Sequence, residues 1–143
     1  MWLYYTGSNY THGTPCLYRE EGTGRKTKFT ASIGLAIWQL DRFVSVDASS
    51  DGGSLTTVPV VFSGNRLEVN ARTKSGGHVR VSIRDSAGMP IAGFERSDSI
   101  RGDNLRHVVT FNGKKDVASL AGRPVTLRFD MKSAELFAFA FRQ

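Results

Sequence analysis

Apolar and polar residues alternate strictly through much of the chain. In Arg66–Arg72, Leu67, Val69 and Ala71 point one way while Arg66, Glu68, Asn70 and Arg72 point the other. A period of two predicts a β-strand with one wet face. His78–Arg84 repeats the pattern, with Val79, Val81 and Ile83 inward and Arg80, Ser82 and Arg84 outward. Ser75-Gly76-Gly77 between the two runs predicts a hairpin turn. Asp85-Ser86-Ala87-Gly88 predicts the next turn, and Met89-Pro90-Ile91 continues extended. Leu105–Phe111 reads as a strand closed by Asn112-Gly113-Lys114-Lys115. In Pro124–Met131, Val125, Leu127, Phe129 and Met131 alternate with Thr126, Arg128 and Asp130. Glu135–Arg142 differs: Phe137, Phe139 and Phe141 fill one face and Leu136, Ala138 and Ala140 the other. A strand apolar on both faces is buried on both, so the C-terminus is expected to be central.

The N-terminal part has another texture. Trp2-Leu3-Tyr4-Tyr5 predicts a strand over residues 2–6, with no earlier strand to pair with. Residues 7–29 are rich in Gly, Thr, Arg and Lys and predict a long loop, mobile at Glu20–Lys28. Thr30–Leu40 carries Ile33, Leu35, Ile37 and Trp38 around Gly34, a content that favours strand over helix. Asp41-Arg42 predicts a tight turn into Phe43–Val46, and Asp116–Leu120 alone has a helical look, as one short turn. About nine or ten short strands joined by Gly-rich turns predict an all-β fold, a β-sandwich of the jelly-roll kind.

At 143 residues the chain can bury a core of its own. Its 40% hydrophobic and 22% charged residues are ordinary for a soluble domain. No apolar run approaches the ~20 residues of a membrane span. Met1 leads at once into Trp2-Leu3-Tyr4-Tyr5, without a basic start or a small-residue cleavage site, so a cytoplasmic location is expected for the chain as written. Cys16 is the sole cysteine, which excludes an internal disulfide and a thiolate cluster. The net charge of +6 raises the question of nucleic acid. The arginines, however, alternate with apolar residues along strands and do not cluster with aromatics. They read as a solvated face, with neither nucleic acid nor membrane as partner.

Catalytic constellations are thin. Ser8 follows Gly7 and His12 follows four residues later, but there is no G-x-S-x-G elbow and no acid placed to orient a base. His12, His78 and His107 share no ligand spacing. Asp98 and Asp103 are oxygen donors of the kind calcium takes, without an EF-hand pattern, so no metal is expected. No Gly pair opens a helix, which leaves no phosphate cradle and no cofactor. Arg101-Gly102-Asp103 reads as a turn.

A sugar offers apolar faces to aromatic rings and hydroxyls to Asp, Asn and Arg. Trp2, Tyr4, Tyr5, Tyr10, His12 and Trp38 supply rings, with Tyr5 and Trp38 assigned to packing. Asp98, Arg101, Asp103 and Arg106 supply polar groups from one loop. The candidate ligand-binding set is therefore Trp2, Tyr4, Tyr10, His12, Asp98, Arg101, Asp103 and Arg106.

Three segments together, WLYYTGSNYTHG (Trp2–Gly13), IGLAIWQLDRFVSVDA (Ile33–Ala48) and GGSLTTVPVVFSGNRLEVNA (Gly52–Ala71), resemble the C-terminal end of glycoside hydrolase family 32-like and family 43-like proteins. Val79–Phe94 and Ser97–Phe111 are similar to strands of the same sandwich. The resemblance covers nearly the whole chain and implies a five-bladed propeller joined to a β-sandwich. Residues 1–40 would then be a remnant of the last blade and its crossover, with an orphan propeller-type strand, and residues 41–143 the sandwich. The chain would be the tail of something larger. Proteins of that family are often secreted. Their catalytic carboxylates sit in Asn-Asp-Pro, Arg-Asp-Pro and Glu-Cys type motifs on earlier blades, and none occurs here. Glycoside hydrolysis needs such a pair, so the resemblance implies a noncatalytic, carbohydrate-binding-like accessory module. The alternatives are a small hydrolase, esterase or glycosidase-like, with a site in the N-terminal region, and a purely structural oligomerisation domain. The apolar first strand further implies a homo-oligomer formed through residues 2–6 and Trp38.

Overall fold

A computed structural model describes residues 1–9 and 30–143. Tyr10, His12, Cys16 and the segment Glu20–Lys28 lie outside the described residues. The chain divides into two compact units, Met1–Gln39 and Leu40–Gln143. Among the described residues the regular structure is strand, apart from one 3-10 turn, Ala118–Leu120.

In the first unit β1 (Trp2–Ser8) pairs antiparallel with β2 (Ala31–Ile37), Trp2 opposite Ile37 and Ser8 opposite Ala31. The first strand is therefore not an orphan: its partner comes later in the chain, where the β-branched run around Gly34 supplies a matching strand.

The second unit is one sheet of five strands. They are β3 (Val46–Ala48), β4 (Gly53–Thr56), β5 (Arg66–Asp85), β6 (Asp103–Val108) and β7 (Val125–Arg142). The order is β3-β7-β5-β6, with β4 also on β7. Seven described strands replace the nine or ten expected, because two pairs of predicted strands are continuous. Ser75-Gly76-Gly77 does not reverse the chain; β5 runs through it, and Thr73 and His78 stay on the same partner strand. Pro124–Met131 and Glu135–Arg142 likewise join as β7, which has neighbours on both sides up to Leu136 and pairs with β5 alone beyond it. Of Glu135–Arg142 only Leu136 is buried, so the expected burial of both faces is not met.

What the glycines do instead is crease the sheet. Positive φ values line the fold: Gly76 (+74°) in β5 and Ser133 (+44°) in β7, the two strands that cross it, and Gly102 (+90°) just before β6 and Gly52 (+83°) just before β4. That region is open to glycine and costly for other residues. Backbone bonds hold the line, with Ser133 N–H donating to Ser49 O at 2.8 Å and Thr73 N–H to Gly102 O at 2.9 Å. Gly77 has no room for a side chain, since a Cβ would lie 2.7 Å from Lys132 O.

The crease turns the inward faces of the two halves toward each other. Leu67, Val69, Ala71 and Leu136 from one half join Val79, Val81, Ile83, Val125, Leu127 and Phe129 from the other in one core. Phe62 stacks on Phe141 at 3.6 Å, and Phe94 meets Phe111 edge-on at 5.1 Å. The alternation of Val79–Ile83 and Val125–Met131 is realised as predicted. Two details differ. Glu68, Asn70 and Ser82, predicted to face water, are 8%, 5% and 5% exposed. Phe137 does not share the face of Phe139 and Phe141, because the β5–β7 register shifts between Asn70 and Ala71 and flips the strand's faces at that point.

Candidate functional site

In the first unit, the β1–β2 register fixes what each face of the ribbon presents. Trp2, Tyr4 and Thr6 share one face with Ile37, Leu35 and Ile33. Leu3 and Tyr5 share the other with Ala36 and Gly34. Tyr5 lies over Gly34, where a Cβ would come 2.6 Å from its Oη, so the ring covers backbone that the glycine leaves bare. The ends are tied. The Met1 ammonium donates to Trp38 O at 2.7 Å, and Thr30 N–H donates to Asn9 Oδ1 at 3.0 Å. Both faces remain open, with Trp2 67% and Tyr4 66% exposed on one and Leu3 and Tyr5 at least half exposed on the other. Among the described residues this unit holds two strands, and a two-stranded ribbon by itself is marginal in water.

In the second unit, the turn Leu40-Asp41 lays Arg42 across the outward face of the first half-sheet. Asp41 takes φ +56° to make that turn. The Arg42 side chain is 7% exposed. Its Nε donates to Asn70 Oδ1 at 2.9 Å, one terminal nitrogen donates to Asp103 Oδ1 at 2.5 Å, and the guanidinium lies 4.6 Å over the Phe137 ring. Asn70 in turn donates to Leu40 O at 3.1 Å. This explains why Asn70 is buried on the wet side of its strand: a second layer of chain covers it. The Arg42 bond is the main force holding the Asp103 carboxyl below the usual carboxylate range.

Beside this cluster is a cleft of about 70 Å³ walled by Leu40, Leu105, Arg106, Arg142 and Glu68. Glu68 is held there by Arg66 Nε at 2.8 Å. Ligand sites for drug-sized molecules run to roughly 300–1,000 Å³, so this one admits a group no larger than a few waters.

The predicted ligand set is dispersed. Trp2 and Tyr4 sit together on the hairpin, in the first unit. Asp103 is engaged by Arg42, and Arg106 walls the cleft. Asp98 accepts from Thr110 Oγ1 at 2.6 Å and from Gly113 N–H at 2.9 Å, bonds that lower its pKa and clamp the Asn112-Gly113 turn. Arg101 stands near His78, across β5 from Lys132. Tyr10 and His12 lie outside the described residues. Arg42, Asn70 and Phe137 were not singled out by sequence. The one available signal was Asn70, an amide inside an alternating strand.

No family model, no curated protein and no solved structure matches this chain.

Proposed function

We propose that the protein is a noncatalytic assembly module: a creased, jelly-roll-like β-sandwich that carries an adhesive β-hairpin, through which the chain self-associates. The observation that carries this reading is the β1–β2 ribbon, apolar on both faces and, among the described residues, unpaired at both edges. A two-fold contact uses one such surface twice and satisfies faces and edges together. A sugar would occupy one face only and leave Leu3 and Tyr5 in water.

Carbohydrate binding is the second reading, and it rests on Trp2 and Tyr4. They lie side by side on one strand face, each two-thirds exposed, as a platform for pyranose rings. The accessory-module reading drawn from glycoside hydrolase sandwiches is proposed on that ground alone. A glycan array run beside sedimentation separates the two. Self-association lost in Ile37→Lys, with no glycan retained, supports assembly. A monomer whose glycan binding is lost in Trp2→Ala supports the sugar platform.

A further inference from the structure

The second half-sheet has an outward face that neither reading uses. Along β5 it presents His78, Arg80, Ser82 and Arg84, and along β7 their partners Lys132, Asp130, Arg128 and Thr126. β4 adds Ser54 beside Asp130 and Thr56 beside Arg128. On the far side of β5, Val79 bridges Ile100, which places Ser99 and Arg101 on the same outward face. Arg80 Nε donates to Ser99 Oγ at 2.9 Å, confirming that parity.

Cations dominate the paired residues of this face: Arg80, Arg84, Arg101, Arg128 and Lys132 share it with one acid, Asp130, with His78 and Pro90, and with Ser and Thr hydroxyls. Asp130 is paired to Arg128 at 3.0 Å. Arg101 and Lys132 are exposed and free of any described ion pair. Buried beneath the long side chains are Ser82 and Thr126, 5% and 7% exposed. The strands space successive outward residues by roughly 6.7 Å, so Arg80 and Arg84, and Lys132 and Arg128, recur about 13 Å apart along their strands with Ser82 or Asp130 between them. No Phe, Tyr or Trp interrupts them.

We infer that this face binds a linear polysaccharide bearing sulfate or carboxylate groups. Arginine forks meet such anions with paired hydrogen bonds, and the exposed hydroxyls of Ser54 and Thr56 can bond those of the sugar. Charge complementarity selects a polyanion, and shape selects among polyanions. Single-stranded nucleic acid is gripped by stacking on aromatic rings, which this face lacks. Sequence reading of a duplex needs a helix or a two-stranded ribbon in a groove, whereas this face belongs to strands paired within a sheet. His78 lies at the crease end of the row, between Lys132 of β7 and Arg101. Its pKa is lowered by desolvation first and then by Arg80, Arg101, Lys132 and Arg96. An anion bound among those cations offsets their field and raises it, so the imidazole reports on the site.

The test uses the whole chain with a heparin-derived oligosaccharide, an oligogalacturonate and an oligothymidylate as probes. Affinity is measured by calorimetry, and the His78 ring is followed by NMR. Arg101→Glu with Lys132→Glu is compared with Lys114→Glu with Lys115→Glu, an equal change of charge on an exposed turn. The expected result is binding of one or both glycans, a rise in the His78 pKa on binding, and a loss of at least about tenfold confined to the first double variant. Heparin binding alone assigns sulfate recognition, and binding of both glycans assigns carboxylate. Equal losses in the two variants, no glycan binding, or tighter binding of oligothymidylate would overturn the inference.

Discussion

The rings of Phe129 and Phe139 lie 5.5 Å apart although both belong to the single strand β7. Ten extended residues would separate them by roughly 33 Å. The crease at Ser133 brings them together, and the core exists because of it. Phe129 is fully buried and Phe139 partly so.

Phe129→Ala is therefore expected to cost about 3–5 kcal/mol, and Phe139→Ala about 3 kcal/mol, the lower end for buried aromatics. The double variant should show a coupling of about 0.5–1.5 kcal/mol, because each ring is part of the other's environment. Urea unfolding of the four proteins in the cycle measures it. Strict additivity would mean that the two halves of β7 do not pack on each other.

The crease itself is testable at positions where only backbone geometry matters. Around Gly76 there is open space, so Gly76→Ala probes φ alone and should cost about 1–2 kcal/mol. Gly77→Ala should cost more, since its Cβ meets the Lys132 and Ser133 carbonyls. Ser133→Gly relieves strain at φ +44° and should stabilise, by up to about 1 kcal/mol after the added chain entropy of glycine. Chemical denaturation ranks the three, and a neutral Gly76→Ala would remove the crease from the account.

Much of this fold was legible because the apolar period of two is local information. Val79–Ile83 and Val125–Met131 faced inward as their alternation required, and the turn at Asp85–Gly88 closes as its composition indicates, with Asp85 Oδ1 accepting from Ala87 and Met89 N–H. The glycines at 76 and 77 were ambiguous, since a hairpin and a crease both need positive φ, and only the non-local pairing with Ser133 decides between them. Asn70 and Phe137 were misplaced for a related reason. A register shift in β7 and the overlay of Arg42 both depend on partners distant in sequence. The site set fared likewise: Asp98 and Asp103 are neighbours in the chain, yet their carboxylates serve a turn and Arg42 respectively.

Arg42→Met should lower stability by about 1.5–3 kcal/mol, the range for hydrogen bonds to charged groups. The larger figure for breaking a fully buried ion pair does not apply, because the Asp103 side chain is 50% exposed and its orphaned charge remains solvated. Arg128→Met, removing a pair that is exposed at both ends, should cost no more than about 1 kcal/mol. Comparable losses in the two variants would show that Arg42 is not the anchor of its face.

Acid sensitivity has a defined sign. Burial is the first cause lowering the pKa of His107, whose Nε2–H donates to Ala71 O at 3.2 Å. The unfolded chain binds the proton more tightly than the folded one, so stability falls as pH drops below the ordinary histidine value of 6.5 and levels off once the folded form titrates. His78 adds in the same direction. A second decline begins below 3.8, where the Asp98 and Asp103 carboxylates, stabilised in the fold, take up protons in the unfolded chain first. Urea midpoints measured across this range should show both steps, with the upper one reduced in His107→Gln. A midpoint that rises on acidification through 6.5 would reverse the assignment.

Sedimentation velocity of the intact chain over a concentration series tests the adhesive hairpin most directly. Ile37→Lys and Leu35→Lys place charge on the face shared with Trp2 and Tyr4, at side chains 62% and 43% exposed. A dimer or larger species is expected for the intact chain at tens of micromolar, and a monomer with an unchanged circular dichroism spectrum for either variant. An intact chain that stays monomeric throughout, or an oligomer that survives both lysines, would contradict assembly through the hairpin.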